Sequence, residues 1–346
     1  MTGARPPVRG GRAPIASLLM LLERTAPAMR RAAGVAVAAL CLSAAACGGG
    51  DAVEPGAREP RPAPHVSLSV DDRHRWAPRP AARTQVPVLA YSRVAPETFA
   101  RQMALLHHAG YETITLADFV GFVRGRAVKL PPHPMLLTFD GGRLATWTES
   151  DGVIRELGFS AVLFVDVGRV EARDPAYLTW KELDRLQDSG RWDVQLQSGT
   201  GNQEIRYGPD KDDVGPFYAY RGADEVLGGW RERVFSDISY GEQQLEHHVR
   251  GYRPLAVAPP EGNYGQAGTN DPRIPRELLD RLLLSFDVVF TQDRSGLVAS
   301  GARNPFGRFV VTPRVTESEL RSRLGWRVIA EPRPARGLPH RRARTG

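Results

Sequence analysis

The stretch Pro134-Met-Leu-Leu-Thr-Phe-Asp-Gly-Gly142 decides the fold class: an apolar run ends on one carboxylate, Asp140, and passes straight into two glycines. A run this short, bounded by Pro and Gly, reads as a buried strand, and many β/α enzymes deliver a catalytic acid at the carboxyl end of such a strand. Asp beside Gly is also a common turn former. At this point Asp140 is therefore either a chemical group or a carboxylate that caps the turn. Working outward, similar apolar segments occur at 86–91, 113–115, 161–165, 194–197, 255–258, 287–291 and 309–311. Between them Phe99, Met103 and Leu106, and again Leu227, Trp230, Val234 and Ile238, repeat at helical spacing. Strands alternating with amphipathic helices predict an α/β protein with a mostly parallel sheet. Thr179-Trp-Lys-Glu182 and Thr316-Glu-Ser-Glu319 read as capping boxes at helix starts. Residues 198–222 form a long polar, Gly-rich loop of the kind that often carries function.

The chain has 346 residues, of which 42% are hydrophobic, enough for one large core. Its net charge of +7 sits at the ends: residues 1–84 carry +6, residues 331–346 carry +4, and the body between them carries −3. The body thus gives no reason to expect a nucleic-acid partner. Both cysteines, Cys41 and Cys47, lie in one N-terminal apolar run, which leaves no disulfide framework and no Cys-based zinc site in the body. Met29-Arg30-Arg31, followed by apolar residues up to Ser43-Ala-Ala-Ala-Cys47, reads as an export signal over 29–47. Its apolar run of about 15 residues falls short of the roughly 20 that span a bilayer. Residues 1–28 read as a non-native extension ahead of the signal. Residues 48–84 read as a disordered Pro/Gly/Arg-rich tether, 85–325 as the folded domain, and 326–346 as a basic disordered tail.

Several pieces of the domain resemble, in order, the polysaccharide deacetylases, the NodB homology domain of the family-four carbohydrate esterases. Val86-Pro-Val-Leu-Ala-Tyr-Ser-Arg-Val94 is similar to the family's first strand, with Ser92 where a His is usual, and Pro96 to Met103 leads to Gly110-Tyr111 as in the family. Leu137-Thr-Phe-Asp-Gly-Gly142 resembles the motif Thr-Phe-Asp-Asp-Gly, and Leu196-Gln-Ser-Gly-Thr-Gly-Asn202 the metal-binding Ser-His-Thr segment. Ala258-Pro-Pro-Glu-Gly-Asn-Tyr-Gly265 looks like the groove loop, and Pro313-Arg-Val315 like the last strand's Pro-Arg-Ile. The resemblance implies a distorted (β/α) barrel. It also implies a groove lined by Tyr91, Glu261 and Tyr264, with Trp180, Trp192, Tyr218 and Tyr220 as further groove or core aromatics. The segment ending at Cys47 resembles a bacterial lipoprotein signal, with Ala44 in place of the usual Leu. That implies a lipid anchor on Cys47 at the outer face of a bacterial membrane, with plain secretion or an uncleaved anchor as alternatives.

In the family, one Asp takes a proton from water on a divalent metal held by the next Asp and two His. Asp140 matches that base. Gly141 stands at the ligand Asp, Gly199 at the first His, and Gln203 or Glu204 at the second. Glycine offers no donor atom. If four ligands share about 10 to 16 kcal/mol, losing two costs about 5 to 8, enough to empty the site. None of the eight histidines falls in the expected site segments. The expectation is a degenerate member without a cofactor, which binds polysaccharide containing N-acetyl hexosamine or supports an active deacetylase or synthase. A working hydrolase rebuilt around Asp140 and Glu204 with zinc, nickel or cobalt is the first alternative. A protein-binding structural lipoprotein is the second.

Overall fold

The computed structural model describes residues 58–78 and 84–325, all within one compact unit. The expected signal, its Cys47 and the tail 326–346 lie outside the described residues. In chain order the elements are α1 (Val70–Arg75), β1 (Gln85–Tyr91), α2 (Pro96–His108), β2 (Tyr111–Thr113), α3 (Leu116–Val123), β3 (His133–Gly141) and α4 (Leu144–Glu156). Then come β4 (Ala161–Asp166), α5 (Val167–Glu171), α6 (Trp180–Asp188), β5 (Trp192–Ser198), the hairpin β6 (Glu204–Arg206) and β7 (Val214–Pro216), and α7 (Leu227–His248). The last are β8 (Ala256–Val257), α8 (Ile274–Ser285), β9 (Val288–Thr291), β10 (Leu297–Ala299), β11 (Phe306–Gly307), β12 (Phe309–Val311) and α9 (Glu317–Arg323). Among the described residues no helix is long and apolar enough to cross a membrane.

The sheet runs β1-β3-β4-β5-β8-β9-β11, every one of these pairs parallel. Its closure turns on one residue. Phe306 and Gly307 pair with Phe290 and Thr291 of β9, whereas Phe309 to Val311 pair with Leu89 to Tyr91 of β1. The chain changes neighbours across Arg308, whose N–H still donates to the Thr291 carbonyl at 2.9 Å, and so closes the sheet into a distorted (β/α) barrel. Alternation along the strands separates two cores. Val88, Leu136, Val162, Phe164, Ala256, Val288 and Phe290 pack inside the barrel. Leu89, Leu137, Leu163, Val194, Val257 and Val289 point outward against the helices.

The structure corrects several expectations. Residues 58–78 are ordered and strapped across the domain. Ser69 and Asp72 form a reciprocal capping box that starts α1, and Trp76 just beyond it is 1% exposed. Arg58 donates to both oxygens of Glu182 (2.8 and 2.6 Å), and the Arg61 N–H donates to the Thr148 carbonyl at 2.7 Å. A polar composition hid the buried indole, the capping box and the partly buried Ala63, Val66 and Leu68 that pack against the core. The expected loop 198–222 contains the β6–β7 hairpin. The strand expected at 113–115 sits two residues earlier, because Thr115 is the cap of α3. At α6 the expected capping box is complete. At α9 only half forms: Thr316 accepts from Glu319 N, while the Glu319 carboxylate turns to Arg323.

Candidate active-site cleft

β3 carries Asp140 to the mouth of the barrel, beside a cavity of about 750 Å³. The inward alternation that buries Leu136 also points Thr138 and Asp140 inward, and there they meet Arg308. Its Nη1 donates to Asp140 Oδ1 at 2.6 Å and to Thr138 Oγ1 at 3.2 Å, and its Nη2 donates to Asp140 Oδ2 at 2.8 Å. The arginine side chain is fully enclosed, 0% exposed, with its guanidinium over the rings of Phe164 and Phe290. A bidentate pair of this kind fixes both position and orientation of the carboxylate. Asp140 keeps 22% of its side chain exposed and a second lone pair on each oxygen, so it can still accept from a ligand.

Neither glycine at an expected ligand position is simply an empty socket. Gly141 has φ +94°, a left-handed backbone that a side-chain-bearing residue adopts only under strain. At Gly199 there is no room. A Cβ there would collide with the Asp237 carbonyl oxygen and come within 2.8 Å of Asp237 Oδ1. Asp237, on α7, sends its carboxylate into the loop after β5. It accepts from the Gly199 and Thr200 N–H groups (3.1 and 2.6 Å) and from the hydroxyls of Thr200 (2.8 Å) and Tyr218 (2.6 Å). Burial, reinforced by the Asp237 charge, pushes the Tyr218 hydroxyl well above its ordinary range. Burial likewise raises the nearby Asp166 carboxyl, against the opposing pull of Asn202 and Arg169.

The rebuilt site does not assemble. Glu204 is exposed on β6 and lines, with Gln203 and Glu261, a separate cavity of about 170 Å³. Asp140 lines the larger cavity, and Glu261 borders both. Among the described residues no three His, Cys, Asp or Glu side chains converge to hold an ion. A divalent metal therefore does not fit the donors present: one expected ligand position holds a left-handed backbone suited to glycine, one is filled by Asp237, and the matching base is clamped by Arg308.

Of the expected groove residues, Tyr91 forms part of the cavity floor but is 4% exposed, with its hydroxyl donating to Gln102 Oε1 at 2.9 Å. Glu261 is exposed at the rim with φ 58°. Tyr264 is 5% exposed and lines neither cavity, contrary to expectation, because the groove loop turns its ring into the core. Trp192 is likewise a core residue, Tyr218 is buried but borders the smaller cavity, Tyr220 stacks on Tyr207 at 4.8 Å and Trp180 on His248 at 4.5 Å. The cavity also presents Arg93, Gln197 and Asn202, which the motifs contain without giving them a role, and Arg143, Tyr177 and Gln292, which no motif covers. Arg93, like Glu261, has positive φ, and such backbone outliers gather at functional clefts. Arg308 did leave a signal in the sequence, a lone charge inside the apolar run Phe306-Gly-Arg-Phe-Val-Val311.

No family model matches the chain, and no curated protein matches its sequence. Solved structures do match. A de-N-acetylase from Aggregatibacter actinomycetemcomitans superposes with a TM-score of 0.60 at 14% identity, over 69% of this chain and 99% of that one. The deacetylase domain of BpsB from Bordetella bronchiseptica gives 0.54 at 19% identity, over 68% and 98%. IcaB from Ammonifex degensii gives 0.54 at 22%, over 70% and 97%. At these identities the likeness establishes the fold, the one these deacetylase structures share.

Proposed function

We propose that this chain, built on the polysaccharide deacetylase fold, binds N-acetylated cell-envelope polysaccharide in the barrel-mouth cleft without hydrolysing it. The observation that carries the reading is the filled position at Gly199, where the Asp237 backbone and carboxylate occupy the space a ligand side chain would need. The cleft meanwhile keeps the size and polarity of a sugar site. Its volume of about 750 Å³ falls in the range of small-ligand pockets. Its walls mix amides and arginines with Tyr177, a half-buried rim ring that Arg143 and Arg169 approach at 5.2 and 5.7 Å, a polar lining with an aromatic at its edge suited to a pyranose.

The same reading puts the domain on the outer face of a bacterial membrane through a lipid on Cys47, beside an active deacetylase or synthase that shares the polymer. Titration calorimetry with N-acetylated chitooligosaccharides, metal analysis and an acetate-release assay with added zinc, nickel or cobalt test it together. The expected result is saturable binding with neither bound metal nor acetate. Stoichiometric metal with metal-dependent acetate release would defeat the proposal. Absence of binding across a glycan array would favour a protein-binding scaffold instead.

A further inference from the structure

Two glutamines lie on one face of β5, two residues apart, and they are used in opposite ways. Gln195 is saturated: Oε1 accepts from the N–H groups of Leu255 and Ala256 (3.1 and 2.9 Å), and Nε2 donates to the Arg253 carbonyl (2.9 Å) and to Asp193 Oδ1 (2.6 Å). That amide stitches β5 to the segment leading into β8. Gln197 is 5% exposed and lines the cavity, yet its Oε1 is enclosed and accepts nothing, and no described group bonds its Nε2. The enclosed, unpaired Oε1 weakens the fold, since buried polar groups are nearly always paired. An amide kept at that cost holds its other end, the Nε2 donor, at the cavity for a ligand.

We infer that Gln197 selects the acetylated form of the sugar, its Nε2 donating to the acetyl carbonyl oxygen. The inference rests on the glycan-binding reading above. An acetamido group brings a carbonyl acceptor to this donor, whereas the ammonium of a de-N-acetylated hexosamine brings donors only. The neighbouring floor does not favour the ammonium either, because the Asp140 carboxylate is already matched by the Arg308 guanidinium. Acceptor capacity left on Asp140 serves a sugar hydroxyl.

The test is calorimetric titration of the wild-type chain, Gln197→Met and Gln197→Glu with N-acetylated chitotriose and with its fully de-N-acetylated counterpart, alongside thermal melts without ligand. The wild type is expected to prefer the acetylated trimer about tenfold, the scale of one hydrogen bond. Gln197→Met is expected to bind that trimer about tenfold more weakly and lose the preference. Its unliganded melting temperature should rise, because the unpaired amide is gone. Gln197→Glu is expected to reverse the preference. If the wild type binds neither trimer, the glycan-binding reading itself fails and takes this inference with it. If the wild type binds but Gln197→Met keeps the preference, only the assignment of Gln197 fails. A lowered melting temperature in Gln197→Met with both trimers weakened alike would mark a purely structural residue and overturn the assignment.

Discussion

At the scale of single residues, the Asp140–Arg308 pair governs how the cleft can be probed. Arginine enclosed in a barrel lumen is tolerated because its charge is matched, and removing one partner strands the other in a poorly solvated place. Asp140→Asn is expected to lower stability by about 3 to 5 kcal/mol in urea denaturation. The double variant Asp140→Leu with Arg308→Met should recover most of that loss in a double-mutant cycle. Inactivity or lost binding in Asp140→Asn alone would therefore report unfolding before chemistry. Gly199 sets the second residue-scale expectation. Gly199→His, the substitution that would rebuild a metal ligand, must displace α7, at a cost of about 1 to 3 kcal/mol or more for overpacking. It should gain no zinc after incubation and dialysis, and tight zinc binding by that variant would show that α7 yields easily. Asp140 was legible in the sequence because a short apolar run ends on it. Its partner was not, because Arg308 lies far along the chain and only closure of the sheet brings it across the lumen.

At the scale of elements, the strap of residues 58–78 is the piece that composition misjudged. Its order depends on a few anchors rather than on a continuous apolar face, so a window average over Pro, Arg and Ala registers only polarity. Trp76→Ala is expected to destabilise the domain by about 3 to 5 kcal/mol, as for other buried aromatic truncations. Ser69→Ala should cost about 1 kcal/mol through loss of the cap. Both are readable as shifts of the urea midpoint at constant m-value. A Trp76→Ala midpoint equal to wild type would mean that the strap detaches without consequence. Elsewhere the parallel strands were readable from their apolar runs, since both faces of these strands are buried. The short strands β6, β7, β10 and β11 were not: the hairpin strands β6 and β7 carry charged, Gly and Pro residues instead of an apolar run, and β10 and β11 are fixed only by pairing with β1 and β9.

At the scale of the whole molecule, the paired carboxylates set the acid limit. Hydrogen bonds from Arg273, with the Arg221 charge adding, hold Asp271 down to about 2 from its ordinary 3.8. Arg101 and Ser69 hold Asp72 lower still. Because both values are depressed in the folded state, the stability they provide is complete above 3.8 and drains away as pH falls towards and below about 2. Thermal melts should therefore show the melting temperature dropping over that acid interval, and a profile flat down to pH 2 would contradict the pairing. The closure at Arg308 has a temporal consequence. β1 is among the first strands to be synthesised, yet one of its flanking partners, β12, is nearly the last, so the ring stays open until almost the entire domain has left the ribosome. Such long-range pairing delays compaction. A polypeptide slow to lock its own circle spends longer with both rims of the unfinished ring unpaired, the interval in which a neighbouring chain could add a strand in the wrong place.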